Sequence, residues 1–256
     1  MLIDSHAHIQ GKEYSGEAAD VVARAREAGV ERIIAVGGAG DMSSNTEAVV
    51  LARAFPDIYA TVGMHPHDAK DVGEDELQKL RELAANEKVV AVGETGLDYY
   101  YNHSPRDVQR RVFTQFIHMA CEIGLPVVVH ERDAAQETAE LLRGESGGNL
   151  CGVIHCFTGS YDAARAYLDL GFYLSFTGII TFKNAEPLRD VVGRIPLERM
   201  LVETDSPYLT PVPHRGKRNE PAYVRLVAET VAKLKEISVE EVAAVTTRNV
   251  CELFKI

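Results

Sequence analysis

No apolar run in the 256 residues approaches the ~20 that a membrane span needs. The N-terminus has no basic stretch leading into an apolar one, because Asp4, Ser5 and His6 interrupt it. No secretory leader is therefore expected, and the chain is expected in the cytoplasm. Cysteine is sparse: Cys121, Cys151, Cys156 and Cys251 make no CxxC pair, which excludes a disulfide framework in a chain this long. All four are expected as reduced thiols, with Cys121 and Cys251 packed as small buried hydrophobes in apolar helical patterns. An excess of positive charge is also lacking. The net charge of −11 argues against a non-specific nucleic-acid coat, whose surface would be basic. It says nothing about the field inside one cleft. There is no linker, low-complexity tract or charge block, and no GxGxxG or P-loop follows any predicted strand.

What the chain has instead is alternation. Short β-branched runs, apolar on both faces, read as buried strands: Leu2–Asp4, Arg32–Val36, Ile58–Val62, Val89–Val92, Pro126–Val129, Gly152–Ile154, Phe172–Ser175 and Met200–Val202. Between them lie segments with helical spacing over 18–28, 76–85, 161–170, 185–192 and 223–235. Ser104-Pro105 reads as N-cap and first turn of a long helix ending at Gly124. Ser238-Val-Glu-Glu241 reads as a capping box before a last helix. Eight such units predict an α/β fold, a single (β/α)8 TIM barrel with an extra C-terminal helix, as one domain over residues 1–256. An open doubly wound sheet is the alternative.

Histidines and carboxylates recur where these strands end. The first runs into Asp4-Ser-His6-Ala-His8, where residues two apart share a face and can reach one ion. The third leads to His65-Pro-His67, the fourth to Glu94 and Asp98, the fifth to His130, the sixth to His155, and the eighth to Glu203-Thr-Asp205. A lone loop histidine is more often structural than a ligand. The strand ends of a barrel, however, converge on one mouth, and chance would scatter the nine histidines. The candidate ligands are His6, His8, Glu94, His130, His155 and Asp205. Imidazole and carboxylate suit Zn²⁺, Mn²⁺, Fe²⁺, Co²⁺ or Ni²⁺. Mg²⁺ stays among the candidates. The set exceeds one tetrahedral shell, so two divalent ions bridged by Glu94 are expected.

At these residues the sequence resembles the TatD-type metal-dependent deoxyribonucleases of the amidohydrolase superfamily, over nearly its whole length. The resemblance rests on Ile3-Asp-Ser-His6-Ala-His8, Val62-Gly-Met-His65-Pro-His67, Val92-Gly-Glu94-Thr-Gly-Leu-Asp98-Tyr99, Pro126-Val-Val-Val-His130 and Ile154-His155-Cys-Phe-Thr-Gly159. Leu201-Val-Glu203-Thr-Asp205-Ser-Pro-Tyr-Leu209 and Thr210-Pro-Val-Pro-His214-Arg-Gly-Lys217-Arg-Asn219-Glu-Pro221 complete it. It implies a TIM barrel that hydrolyses nucleic-acid phosphodiesters, with DNA strands or ends as substrate. It implies one ion on His6, His8 and Asp205, the other on His130 and His155, Glu94 between them, and Glu203 as accessory ligand for these or a third ion. Relatives that deacylate D-aminoacyl-tRNA make that the alternative substrate. Val89-Val-Ala-Val-Gly93 holds no lysine, unlike branches of the superfamily that bridge their metals with a carboxylated lysine.

The expected division of labour follows. Asp205 orients the attacking water and takes its proton. His65 and His67 are catalytic candidates for phosphate contact or proton transfer. Arg132, Arg215, Lys217 and Arg218 are candidate phosphate contacts, since negative charge grows on the phosphoryl oxygens. Tyr99, Tyr100 and Tyr101 could stack a base or simply pack. Asp98 is expected to accept the other ring N–H of a ligand histidine, and Phe157-Thr158-Gly159 to shape the loop beneath the site. Neither a membrane nor an obligate protein partner is indicated. The rival functions are an amide or ester hydrolase on the same centre and a non-enzymatic metal-binding scaffold.

Overall fold

Each β-strand pairs in parallel with the next, from β1 to β8 in sequence order, in a computed structural model that describes residues 1–148 and 150–256. The strands are β1 (Leu2–Ala7), β2 (Val30–Val36), β3 (Ile58–Val62), β4 (Val89–Asp98), β5 (Val127–Arg132), β6 (Gly152–Ile154), β7 (Tyr173–Phe176) and β8 (Met200–Val202). The last meets the first through a parallel bridge between Ala7 and Ser206. Across that seam the His8 N–H donates to the Ser206 carbonyl at 2.7 Å. The result is a nearly closed (β/α)8 barrel, as expected.

Nine helices among the described residues cover it: α1 (Ala18–Glu27), α2 (Ser43–Ala54), α3 (Glu74–Ala84), α4 (Arg106–Ile123), α5 (Ala135–Glu145), α6 (Tyr161–Asp169), α7 (Glu186–Arg194), α8 (Val224–Lys235) and α9 (Val239–Phe254). Strand alternation divides the core in two. Ile33 and Ala35 belong to the cluster shared with the surrounding helices. Ile34 and Val36 belong to a second cluster with Ile3, Val90, Val128, Val153 and Leu201, which fills the barrel. Val250, Leu253 and Phe254 of α9 join that inner cluster, so α9 stops the barrel at its N-terminal end and leaves the opposite end for chemistry.

Several details differ from the sequence reading. Strands β1, β4 and β5 run on to Ala7, Asp98 and Arg132, so His6, Glu94 and His130 lie within strands. Register shifts fall between Asp4 and Ala7 and between Val92 and Thr95, beside His6 and Glu94, where bulges re-aim side chains. Helices α2 and α5 were not anticipated. Ser104 does not cap α4, whose N-cap is Pro105. Its hydroxyl instead donates to the His67 carbonyl at 2.7 Å and accepts the Lys70 N–H at 3.0 Å, tying that loop to the barrel. Ser238 does cap α9, accepting the Glu241 N–H at 3.1 Å. All four cysteines are free thiols, but Cys121 is exposed and Cys251 only partly buried. On α4, Cys121 faces outward while Val112, Phe116 and Met119 take the buried stripe. Among the described residues no helix is long and apolar enough to cross a membrane.

Candidate metal centre

Glu94 sits on β4 between two glycines that let this strand lie against β5. A Cβ on Gly93 would stand 2.5 Å from the Val128 carbonyl oxygen, and one on Gly96 would run into the His130 carbonyl. Both glycines have φ near +145°, at +149° and +144°, a region side chains rarely adopt. Glu94 thereby enters the barrel axis at 2% exposure, ringed by histidines from four other strand ends.

Its two oxygens serve different groups. Oε2 lies 3.4 Å from His6 Nε2 and 3.8 Å from His8 Nε2. Asp205 Oδ1 completes that pole, 3.5 Å from His8 Nε2 and 3.8 Å from His6 Nε2. Oε1 lies 2.7 Å from His155 Nε2, 3.0 Å from His130 Nδ1 and 3.5 Å from His65 Nε2. Asp205 is held in a left-handed conformation, φ 54°, and its N–H donates to the His6 carbonyl at 2.9 Å. The neighbouring Thr204 is fixed by Asp4, which accepts its N–H at 2.8 Å and its hydroxyl at 2.6 Å. Burial pushes the Asp4 carboxyl up to about 8 despite these bonds.

The electrostatics favour a cation. Burial alone would raise Glu94, but neighbouring His155 and His65 and the close approach of His130 and His155 hold it well below the usual carboxylate range. Burial, reinforced by neighbouring His155, lowers His6 and keeps it neutral. Ring nitrogens face one another at 3.2 Å in His6 and His8 and at 3.3 Å in His130 and His155, which gathers nitrogens that could bind an ion on either side of Glu94. Donor atoms 3.2–3.8 Å apart at the first pole suit ion–ligand bonds of ~2.1 Å. The donor set therefore fits divalent ions, and these His, Glu and Asp groups are positioned to bind metal.

Hydrogen bonds on the far side of each ring sort the histidines. His8 Nδ1 donates to the Val36 carbonyl at 3.0 Å, which leaves Nε2 bare toward Glu94. His130 Nε2 donates to Asp98 Oδ2 at 3.2 Å, which leaves Nδ1 bare. His65 is the reverse. Its Nδ1 accepts the His67 N–H at 3.2 Å, so the proton sits on the Nε2 that faces Glu94. Proximity alone groups His65 with Glu94 and His130 as possible ligands, but a neutral ring in that tautomer donates a hydrogen bond there.

Above the centre opens a cavity of about 870 Å³. His67 stands on its wall, its Nε2 sharing Asp98 Oδ2 at 2.9 Å. Asp98 Oδ1 accepts the N–H groups of Tyr100 and Tyr101 at 3.0 and 2.8 Å. Burial would raise this carboxyl, yet bonds from His130, the Tyr101 N–H and His67 bring it below the carboxylate range. Tyr99 packs inward, its hydroxyl on Glu137 at 2.6 Å, while Tyr100 and Tyr101 are exposed. The Arg132 guanidinium lies over both, 4.1 and 4.7 Å from their ring centres. Of the four predicted phosphate contacts only Arg132 lines the cavity among the described residues. Arg215 lies on the Phe182 ring at 3.7 Å, and Lys217 is exposed. Arg218 pairs with Glu17 at 2.6 Å and lies over the Tyr14 ring. The lining also holds Lys70, His103 and Tyr208, which the sequence reading missed: Lys70 and His103 lie outside the ligand motifs, and Tyr208, inside the one after β8, is no metal ligand type that would draw notice there.

Comparison with known proteins agrees with this geometry. The model of the family described as TatD related DNase matches residues 3–255. The chain is 47% identical over 256 residues to an uncharacterized metal-dependent hydrolase, YabD, of Bacillus subtilis strain 168, covering 100% of both. It is 37% identical over 261 residues to a 3'-5' ssDNA/RNA exonuclease TatD of Edwardsiella piscicida, again covering 100% of both. Among solved structures, the YJJV TatD homologue of Escherichia coli K12 superposes with a TM-score of 0.94 at 28% identity, covering 100% of this chain and 98% of that one.

Proposed function

The chain belongs to the TatD-related DNase family of metal-dependent hydrolases, and we propose that the bond it breaks is the phosphodiester of DNA, at unpaired segments or ends. On this reading residues 1–256 act as one domain. His6, His8 and Asp205 hold one divalent ion, His130 and His155 the other, and Glu94 joins them. Zn²⁺, Mn²⁺, Co²⁺, Ni²⁺ and Mg²⁺ all suit the donors. When bound, such ions polarise a phosphoryl oxygen and lower the pKa of water from ~16 toward ~7.

The chain's own groups do the rest. Asp205, the one carboxylate of the set with an appreciable opening to the cavity, 14% of its side chain, orients the attacking water and accepts its proton. His65 directs its Nε2–H into the site and His67 stands on the cavity wall backed by Asp98, so both can steady charge on the phosphate or pass a proton to the leaving group. The observation that carries the substrate assignment is Arg132, on the cavity wall with Tyr101, lying over the exposed rings of Tyr100 and Tyr101. A cation beside two aromatic faces matches a nucleotide, with its phosphate next to an unpaired base.

The test is turnover of single-stranded DNA, duplex DNA, RNA and a D-aminoacyl-tRNA with added divalent metal, with and without a chelator. Chelator-sensitive release of nucleotides from single-stranded DNA is expected. Cleavage of the tRNA ester alone would move the assignment to deacylation on the same centre.

A further inference from the structure

Each ion-binding imidazole must keep its ligating nitrogen bare, so its other nitrogen carries the proton and needs an acceptor. His8 has the Val36 carbonyl and His130 has Asp98. The remaining two do not: Nδ1 of His6 and Nδ1 of His155 are buried without a hydrogen-bond partner. Their Nε2 atoms face opposite oxygens of Glu94. Their rings stack, with centroids 4.0 Å apart and planes 12° from parallel, so the two orphaned nitrogens lie on the same side, away from Glu94.

Glu203 stands there. It is fully buried, does not line the cavity, and shares with His6 and His155 a group in which one donor atom from each lies within 4.8 Å of the others. Its Oε1 is 3.4 Å from His155 Nδ1, an approach rather than a formed hydrogen bond. Both oxygens are already engaged on the chain: Oε1 accepts the Cys156 N–H at 2.7 Å and Oε2 the Ser5 hydroxyl at 3.4 Å. Cys156 adopts φ 45°, and strain of this kind is kept where the surroundings require it. A buried carboxylate is retained only when paired, and the two Nδ1–H groups are the donors it lacks.

We infer that Glu203 is a positioning residue and not an ion ligand: it accepts the Nδ1–H of both His6 and His155, fixing Nε2 as the ligating nitrogen of each. One carboxylate beneath the stacked rings thus serves both ion positions, so loading of one is felt at the other. This rests on the two-ion reading given above, and it replaces the accessory-ligand role suggested by the family resemblance.

The test is metal binding rather than activity. Zn²⁺ is titrated into metal-free wild type, Glu203→Gln and Glu203→Ala, followed by calorimetry and by elemental analysis at saturation, with circular dichroism confirming the fold. The Ala variant is expected to bind as many ions as wild type, with both affinities weakened ~10–100-fold. The Gln variant, whose amide oxygen still accepts from one ring, should recover part of the loss, and it carries the test if the Ala variant does not fold. In the Zn²⁺-loaded wild type, long-range ¹H–¹⁵N spectra should show the Nδ1–H tautomer on His6 and His155. Loss of one ion with the remaining affinity unchanged would make Glu203 a ligand and overturn the inference, as would variants that bind like wild type. Wild-type protein that takes up no divalent ion would sink the two-ion centre itself and this inference with it.

Discussion

Asp205 donates its backbone N–H to the carbonyl of His6 at 2.9 Å, so the bond that helps close the barrel also registers two groups of one metal pole. Residues some two hundred positions apart are held by the seam itself, and the accuracy of the site depends on the closure of the fold.

Glu94 offers one oxygen to each pole, so its loss should be felt at both. Glu94→Ala is expected to abolish stoichiometric binding of divalent ions and, with it, turnover. Elemental analysis after dialysis against Zn²⁺ checks this. One tightly retained ion would show that Glu94 does not bridge.

Asp205→Asn keeps the side-chain shape and the backbone bond to His6 but removes the proton acceptor. Turnover should fall ~10²–10⁴-fold, even in protein shown by metal analysis to hold its ions. Near-normal hydrolysis would take Asp205 out of the mechanism.

Arg132 and Arg218 make an internal contrast. If Arg132 meets a phosphate, Arg132→Ala should lower kcat/KM on DNA ~10–100-fold, the worth of a charged hydrogen bond. It should also flatten the salt dependence of binding by about one unit of slope. Arg218→Ala, which breaks the pair with Glu17 and the contacts with the Glu13 carbonyl and the Tyr14 ring, should change neither. A salt series on both variants decides.

Gly96 is expected to tolerate no side chain, because its Cβ would collide with the His130 carbonyl. Gly96→Ala should cost about 1–3 kcal/mol of stability from backbone strain alone and weaken metal binding by displacing His130. Urea denaturation of the metal-free protein isolates the first effect, and a Zn²⁺ titration the second.

The barrel and the gathering of His, Glu and Asp groups positioned to bind metal were legible in the sequence because the signal repeats: an apolar run, then a His or an acid, strand after strand. What stayed hidden depends on partners distant in the chain. Helix α2 buries Asn45 alongside Ala48, Val49, Leu51 and Ala52, a mixed set that draws little contrast between its faces, and α5 buries only a few positions. Ser5–Ala7 and Gly93–Asp98 become strand by pairing with β2 and β5, not by β-propensity of their own. Arg218 reads as a free cation until Glu17 appears across the fold. The distinction between His65 and the histidines proposed as ligands lies in a single backbone N–H, that of His67, which no spacing rule reveals.

The packed interior, with helix α9 beneath it, makes the barrel a blind alley. With Val250, Leu253 and Phe254 packed on the inner cluster, nothing can be threaded from one end to the other. Whatever enters must back out by the way it came, and the spent fragment competes with the next substrate for one doorway.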